Sequence, residues 1–495
     1  MGRDYSLFIP EYIAAISALV IVGIELWWPN VRKDLLAYLT ALAAVAWGVA
    51  SLFYLNQDDQ GFQGIIQIDE FTTFFRVLAA GIVFVTALMS AQYLRGKTKV
   101  VAEYYGLLLI AGCGMVYMAA ARELITAYIA LELLSFSLYI LVGFLKKDRL
   151  ASEASLKYIL LGAFASAMFL YGMSLIYGIT GSTTYDGIAR GLQERGGDTN
   201  AAVVVGFMLI IAGVGFKVAA APFHMWSPDA YEGAPLPIAA FLSTLSKAAG
   251  FALILRLFTG AFLIDADEWR WAIAGLAAIT MTLGNLVAIQ QSSLKRLVAY
   301  SSIGQVGYML VVNAAIGYAD PASDVARDAS SALLLHMVGY IVSTLALFTA
   351  LTAYYNKTGK DTVQGLRGMA ETQPFLAVVV TVSLFSFAGL PFFAGFTTKL
   401  FLFQASTTDG LLWLVGLAVV NSFVSLYYYL MVLRQVYLFD PEDGLKRFKV
   451  NPLLQLTATA LLLGVVFIGV WPRPLFQAAD DATAPLFLPG VTNER

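Results

Sequence analysis

Fourteen stretches of about twenty apolar residues follow one another along this chain, centred near residues 18, 45, 83, 111, 134, 168, 211, 247, 280, 306, 342, 390, 424 and 461. An α-helix needs about 20 such residues to cross the hydrocarbon of a bilayer. Within hydrocarbon every backbone polar group has to be satisfied inside its own segment, so runs of this length form helices. The sequence therefore predicts an all-α integral membrane protein with about 14 transmembrane helices and no soluble domain. Charged residues are only 13% of the chain, against about 25% in soluble domains. The N-terminus lacks a basic start and a small-residue cleavage site, so the first run reads as a full span rather than a signal peptide.

Lys and Arg set the orientation of such a chain. With the helices numbered in order, the loops after helices 1, 3, 5, 9, 11 and 13 hold 17 basic residues, including Arg32-Lys33, Lys146-Lys147 and Lys295-Arg296. The loops on the other side, with both tails, hold 8 and are acidic, as in Asp58-Asp59, Asp265/Asp267/Glu268 and Asp320/Asp324/Asp328. Both termini are expected outside. Six basic residues remain at membrane level or its margin: Arg76, Lys157, Lys217, Lys247, Arg256 and Lys399.

Two spans are expected to be broken. The run from Val203 reaches Pro222 and resumes at His224-Met225-Trp226. The run from Val378 reaches Gly389-Leu390-Pro391-Phe392-Phe393-Ala394-Gly395 and resumes at Phe396-Thr397-Thr398-Lys399. Proline removes a backbone donor and clashes with the preceding turn. Unwound backbone in a bilayer persists where it lines a cavity or is buried by protein. Paired interruptions in corresponding helices point to inverted repeats with a transport site. The breaks fall in helices 7 and 12. A five-helix unit repeated once, helices 4–8 and then 9–13, reverses direction because five is odd. The expected division is 1–100 for helices 1–3, 101–262 and 263–440 for the two repeats, and 441–495 for helix 14 and the tail. Ordinary proline kinks are the alternative.

The ionisable residues inside the spans carry the chemistry. A charge at the bilayer centre costs about 2.5–3.5 kcal/mol on insertion scales, so retained ones mark ion or proton pathways. Lys217 and Lys247 flank the first break. A buried lysine can exchange a proton near neutral pH, because burial depresses its pKa by as much as about 3–5 units. Arginine stays charged. Glu132 lies centrally in Leu124–Leu145 and is the natural ion-pair partner of Lys217; a boundary acid or a packing salt bridge is the alternative. Lys399 follows the second break, unless it snorkels to the surface. His336, in Leu333–Thr349, is either hydrogen-bonded core or a bridge from Lys247 towards Lys399. His224 is a structural cap or part of a proton entry. Arg76 and Arg256 read as packing charges, and Ser243, Ser246, Ser301 and Ser302 as water-lining groups or helix glue.

Much is excluded. Cys113 is the single cysteine and His224 and His336 the only histidines, too few for an iron–sulfur cluster or a multi-haem cytochrome. No Walker A loop occurs, and Gly213-x-Gly215 lacks the third glycine of a dinucleotide fingerprint. Work done by this chain has to draw on an ion gradient or a partner.

The stretch from Phe216-Lys217 through Pro222-Phe223-His224-Met225-Trp226-Ser227-Pro228 and Asp229-Ala230-Tyr231-Glu232-Gly233-Ala234-Pro235 to Ser246-Lys247-Ala248-Ala249-Gly250 resembles the signature of the antiporter-like membrane subunits of respiratory complex I. The form of residues 229–235 is most similar to the subunit N (subunit 2) branch. Lys399 on helix 12, where the middle subunit has Glu, agrees with that branch. So does a chain that stops soon after helix 14, without the distal subunit's lateral helix. The resemblance implies a proton-translocating subunit of an NADH:quinone oxidoreductase. Proton transfer would run through Glu132, Lys217, Lys247 and Lys399, with His336 on the route and His224, Pro222 and Pro391 secondary. It implies no cofactor in this chain: NADH, FMN, iron–sulfur clusters and quinone belong to partner subunits. Implied partners are the neighbouring antiporter-like subunit and small membrane subunits within the lipid bilayer, and no nucleic acid. The implied location is the inner or plasma membrane of a prokaryote, or an equivalent energy-transducing membrane. A subunit of a sodium/proton antiporter and a ferredoxin-linked photosynthetic relative are the alternatives, and a passive scaffold is a third.

Overall fold

A computed structural model describes residues 2–195, 201–318, 324–407, 410–441 and 445–487. Asp320 and the end of the 182–200 connection lie outside the described residues. Among the described residues, thirteen helices are long and apolar enough to cross a membrane. They are helix 1 (Ile9–Trp27), helix 2 (Lys33–Leu52), helix 3 (Glu70–Tyr93), helix 4 (Ala102–Ala120), helix 5 (Leu124–Val142) and helix 6 (Arg149–Thr180). Helix 7a (Ala201–Val218), helix 8 (Leu236–Gly260), helix 9 (Ala266–Ala288), helix 10 (Leu294–Tyr318) and helix 11 (Asp324–Thr358) follow, then helix 13 (Leu412–Leu438) and helix 14 (Pro452–Val470). The remaining run is helix 12, in two pieces: 12a (Pro374–Ala388) and 12b (Ala394–Ala405). Helix 7 also resumes, as 7b (Trp226–Gly233).

Helix 8 is wholly buried in its apolar stretch, and helices 10 and 11 are 94% and 89% buried, whereas helices 1 and 14 are 33% and 28% buried. The innermost helices are therefore those that carry Lys247, Ser302 and His336, and the outer ring meets lipid. Exposed Trp27, Trp28 and Trp471 at helix ends fit an interfacial belt.

Buried ion pairs fasten the N-terminal helices to this core. Arg76 of helix 3 grips Glu11 of helix 1 through two bonds of 2.7 Å and donates a third to Leu7 O. Arg256 of helix 8 holds both oxygens of Asp69 at 2.6 and 2.7 Å and reaches Ala119 O at 2.8 Å. Asp69 also caps helix 3 by accepting from Thr72 N. The packing role expected for both arginines is what they perform. A small hairpin, Asp59–Gly61 against Ile66–Ile68 with Asp59 opposite Ile68, is the one sheet among the described residues. An amphipathic helix, Arg473–Thr483, lies across helices 3 and 11 and is pinned by Arg327 to Asp480 at 2.8 Å.

The internal repeat shows in hydrogen bonds. Helix 5 starts at an isolated bridge, Glu123 to Thr184, and helix 10 at another, Ser293 to Thr362. Leu124 N bonds Thr183 O and Tyr185 N bonds Arg122 O; likewise Leu294 N bonds Asp361 O and Val363 N bonds Ser292 O. Both breaks also share one local geometry. Ala219 (φ +64°) and Gly389 (φ +82°) adopt the left-handed conformation. The next residue's amide then reaches back five positions, Ala220 N to Gly215 O and Leu390 N to Phe385 O. This is a helix C-terminal cap. The helices thus stop at Val218 and Ala388, ahead of Pro222 and Pro391. The prolines lie inside the gaps and prevent resumption; they are not the residues at which the helices end, as the sequence reading has it.

Candidate functional site

Lys217 sits in the last turn of helix 7a and is 2% exposed. Its Nζ donates to Ser135 Oγ of helix 5 at 2.9 Å. Glu132, one turn before Ser135, is half-buried and accepts from Ser166 Oγ of helix 6. Among the described residues the expected Glu132–Lys217 ion pair is not formed directly. Each group bonds a different serine, Lys217 to Ser135 and Glu132 to Ser166, and the carboxylate and ammonium remain within electrostatic reach. The reason is depth: the helix turn that carries Ser135, not the one that carries Glu132, faces the end of helix 7a. A cavity of about 10 Å³ lies beside Lys217, lined by Ser135, Ser166, Tyr139, Phe216 and Lys217. That is space for about one water.

Lys247 is 3% exposed and follows a π-helical turn, Leu242–Ser246, within helix 8. Such turns often mark functional positions. Its Nζ reaches two phenols, Tyr231 OH of helix 7b at 3.3 Å and Tyr340 OH of helix 11 at 3.5 Å. Ser243 Oγ is 2.5 Å from Tyr340 OH, and Ser302 Oγ of helix 10 is 3.5 Å from Tyr231 OH. Ser246 Oγ donates to Lys217 O at 3.4 Å, which ties the two lysine sites together.

Lys399 is 4% exposed on helix 12b, so it does not snorkel. Its Nζ folds back across the break, donating to Phe387 O at 2.8 Å and to Ser422 Oγ of helix 13 at 3.4 Å. The ammonium also lies 4.6 Å from the Tyr308 ring centroid. His336 Nδ1 is 2.9 Å from Thr398 Oγ1, next to Lys399, while its Nε2 is buried without a hydrogen-bond partner. His224 stands in the gap of helix 7, partly buried, with its ring 6.4 Å from Tyr300 and Nδ1 unpartnered. No hydrogen bond joins it to the lysines among the described residues. Pro222 follows Ala221, whose amide is held by Thr280 Oγ1 at 2.9 Å.

The sequence alone does not single out Ser135, Ser166, Tyr231, Tyr340 or Ser422. Tyr231 lies inside the 229–235 motif, and that placement was the only available signal. The arrangement as a whole is a buried line of exchangeable groups running from helix 5 through helices 7, 8 and 11 to helix 12. Each lysine is held by hydroxyl or carbonyl oxygens and not by a carboxylate.

A family profile described as NADH:quinone oxidoreductase/Mrp antiporter, TM, matches residues 121–425. The chain is 38% identical to NADH-quinone oxidoreductase subunit N of Moorella thermoacetica, over 97% of this chain and 98% of that protein. Its fold is similar to a chain in respiratory complex I from Thermus thermophilus with bound aureothin, with a TM-score of 0.78, 30% identity and coverage of 96% of this chain and 100% of that one. A chain of the Mrp complex from a Dietzia species shares the fold at a TM-score of 0.83 and 22% identity, over 99% of both.

Proposed function

Because the chain belongs to the NADH:quinone oxidoreductase/Mrp antiporter membrane family, we infer that it is the subunit N-type, proton-translocating membrane subunit of an NADH:quinone oxidoreductase. Its partners are the other membrane subunits of that complex. Redox chemistry with NADH, FMN, iron–sulfur clusters and quinone is assigned to those partners, and this chain contributes the proton path. Glu132 and Lys217 form the first half-channel, Lys247 the centre, and Lys399 with His336 the second half-channel. His224, Pro222 and Pro391 shape the breaks. Residues 1–100, 101–262, 263–440 and 441–495 are taken as the N-terminal helices, the two repeats and the closing helix with its tail. Both termini face outward from a prokaryotic inner or plasma membrane, or an equivalent energy-transducing membrane, a reading that the Lys/Arg asymmetry of the loops supports.

The observation that carries this reading is three lysines, 2%, 3% and 4% exposed, in helices that cross hydrocarbon, none in a salt bridge among the described residues. A static structural charge in such a place is normally paired. A group that loads and unloads a proton needs only polar oxygens that accept the proton when it is present. The lysines are also coupled: a charge arriving at one shifts its neighbours, so protons move in linked steps. Moving one charge against 100 mV takes about 2.3 kcal/mol. That corresponds to a pKa change of about two units at 1.36 kcal/mol each.

The test is Lys247→Ala in the intact complex, with proton pumping and quinone reduction measured side by side and assembly checked by native gel. Assembly with collapse of both activities is expected. Wild-type activity in an assembled complex would leave the lysines as scaffold and overturn the reading.

A further inference from the structure

We propose that Tyr231 and Tyr340 are relay residues, the two hydroxyl arms through which Lys247 takes its proton from the first repeat and passes it to the second. The proposal rests on Lys247 being a proton carrier and names how the proton reaches and leaves it.

The two phenols are the only side chains that hydrogen-bond the Lys247 ammonium among the described residues. They lie at nearly equal distances, 3.3 and 3.5 Å. Neither bond is short, so neither traps the ammonium. Their origins differ. Tyr231 is on helix 7b, just past the break that carries Lys217. Tyr340 is on helix 11, one turn from His336. The π-turn at Leu242–Ser246 sets Ser243 and Lys247 on one face, so that Ser243 fixes the Tyr340 hydroxyl that Lys247 also meets.

Each tyrosine also has a buried hydroxyl one helical turn away on its own helix. Ser227 Oγ, four residues before Tyr231, and Thr344 Oγ1, four residues after Tyr340, are both fully buried, each beside the hydroxyl of its tyrosine. Tyr158, its ring stacked on Trp226, adds a buried hydroxyl beside Ser246 on the Lys217 side. On the other side His336 Nε2 is unpartnered, four residues before Tyr340. Groups four apart on a helix lie about 5–6 Å apart at Cβ, a gap that one bridging water closes. Buried polar groups left unsatisfied are rare and need a reason; His336 Nε2 is one, on the side of Lys247 that leads to Lys399.

The transfer balances without a stable phenolate. Lys247 donates one ammonium proton to the Tyr340 oxygen while the Tyr340 hydroxyl proton moves on, through water, to His336 Nε2. The amine and the phenol end neutral and the imidazole carries the charge, with its Nδ1–H directed at Thr398 beside Lys399. Reloading is the same exchange on the other arm: Tyr231 gives its hydroxyl proton to the neutral amine and is reprotonated from the Lys217 side.

The experiment uses Tyr231→Phe, Tyr340→Phe and the double variant in the intact complex. Phenylalanine keeps the ring and removes only the hydroxyl. Expected are normal assembly, proton pumping slowed at least ten-fold, and a solvent deuterium isotope effect larger than that of the unaltered complex. Partial recovery in Tyr340→His, which restores an exchangeable proton, is expected too. If the Phe variants pump at the normal rate while Lys247→Ala does not, the relay is overturned and the lysine path stands. If Lys247→Ala also pumps normally, the underlying proton path falls. Should a Phe variant fail to assemble, Ser243→Ala frees the Tyr340 hydroxyl and touches neither ring. Slowed pumping with a larger isotope effect supports the relay there, and unchanged pumping overturns it.

Discussion

Gly395→Ala tests whether the joint of helix 12 sets the position of Lys399. A Cβ on Gly395 would lie 1.7 Å from Ser386 O and 3.2 Å from Ser386 Oγ. Real Cβ contacts stay above 3.0 Å, so helix 12b has to withdraw from 12a by about 1.3 Å, from 3.0 − 1.7. The obstacle is backbone and cannot swing aside. Ser386 is held besides by Ser343, at 2.8 Å, and by the Gly395 amide, at 2.9 Å. Lys399 is one turn further along 12b and travels with it. A shift of that size directed along its 2.8 Å bond to Phe387 O opens the bond to as much as about 4.1 Å, beyond hydrogen-bond reach. A hydrogen bond to a charged group is worth about 1.5–3 kcal/mol. At 1.36 kcal/mol per decade this is a loss of about ten- to a hundred-fold in rate if the bond is made during proton transfer. The assay is proton uptake by inverted vesicles together with quinone reduction, normalised to complex assembled on a native gel. Gly416→Ala on helix 13 is the control, because nothing lies within 4 Å of its added Cβ. Gly395→Ala pumping at the rate of Gly416→Ala would refute the claim that the 12a–12b joint positions Lys399.

Arg256→Met strands the fully buried Asp69 and removes four hydrogen bonds, to Asp69 twice, Ala119 O and Thr72. Breaking one partner of a buried pair costs about 3–5 kcal/mol, so loss of assembled complex at physiological temperature is expected. Adding Asp69→Asn, which keeps the helix cap, should recover part of it, and equal thermal stability of all three forms would count against the clamp. Lys97, in the loop between helices 3 and 4, has its pKa lowered to about 8 by burial and by Lys295, against the opposing pull of Asp361 and Asp148. It lies 3.3 and 4.5 Å from the ring centroids of Tyr93 and Tyr355. Only the neutral amine acylates, so its labelling by an amine-reactive ester should be half-maximal near pH 8, where an ordinary lysine is still protonated. With both termini outside, the label should appear in inverted vesicles and not in right-side-out ones; the opposite pattern would reverse the orientation.

The fold was legible because hydrocarbon thickness dictates run length, and a span of twenty apolar residues leaves few choices. The sites were less so, for reasons of depth and reach. Gly389 announces a left-handed cap, whereas Ala219 in the same conformation does not, since a side chain there is disfavoured by about 1–2 kcal/mol. Sequence therefore pointed to the prolines, two or three residues too late. Glu132 and Ser135 share one face of helix 5, and only the packing of helix 7a decides which meets Lys217. Tyr340 is 93 residues from Lys247, a separation that no periodicity bridges.

Lys217 and Lys399 also look interchangeable in sequence, each near a break, yet they stand on opposite sides of it. Lys217 precedes its left-handed residue by two positions, and Lys399 follows its own by ten. With helix 5 and helix 10 registered by their starting bridges, an offset of 170 (293 − 123) pairs Lys217 with Phe387 and Glu132 with Ser302. The Lys399 ammonium nevertheless ends on Phe387 O. A lysine from the second half of the break thus delivers its charge to the place that a lysine of the first half occupies in the other repeat. Both ammonium groups sit at the C-terminal end of a half-helix, where exposed carbonyls and the helix dipole favour a cation. What the second repeat does not reproduce is the carboxylate, since Ser302 stands where Glu132 would. The first lysine answers to a carboxylate on helix 5, whereas the last has none and answers to dipoles and to the charge on His336. On the proposed reading, that difference would give two otherwise matching half-channels unequal responses to the same electrostatic signal, an asymmetry that a directional proton path can use.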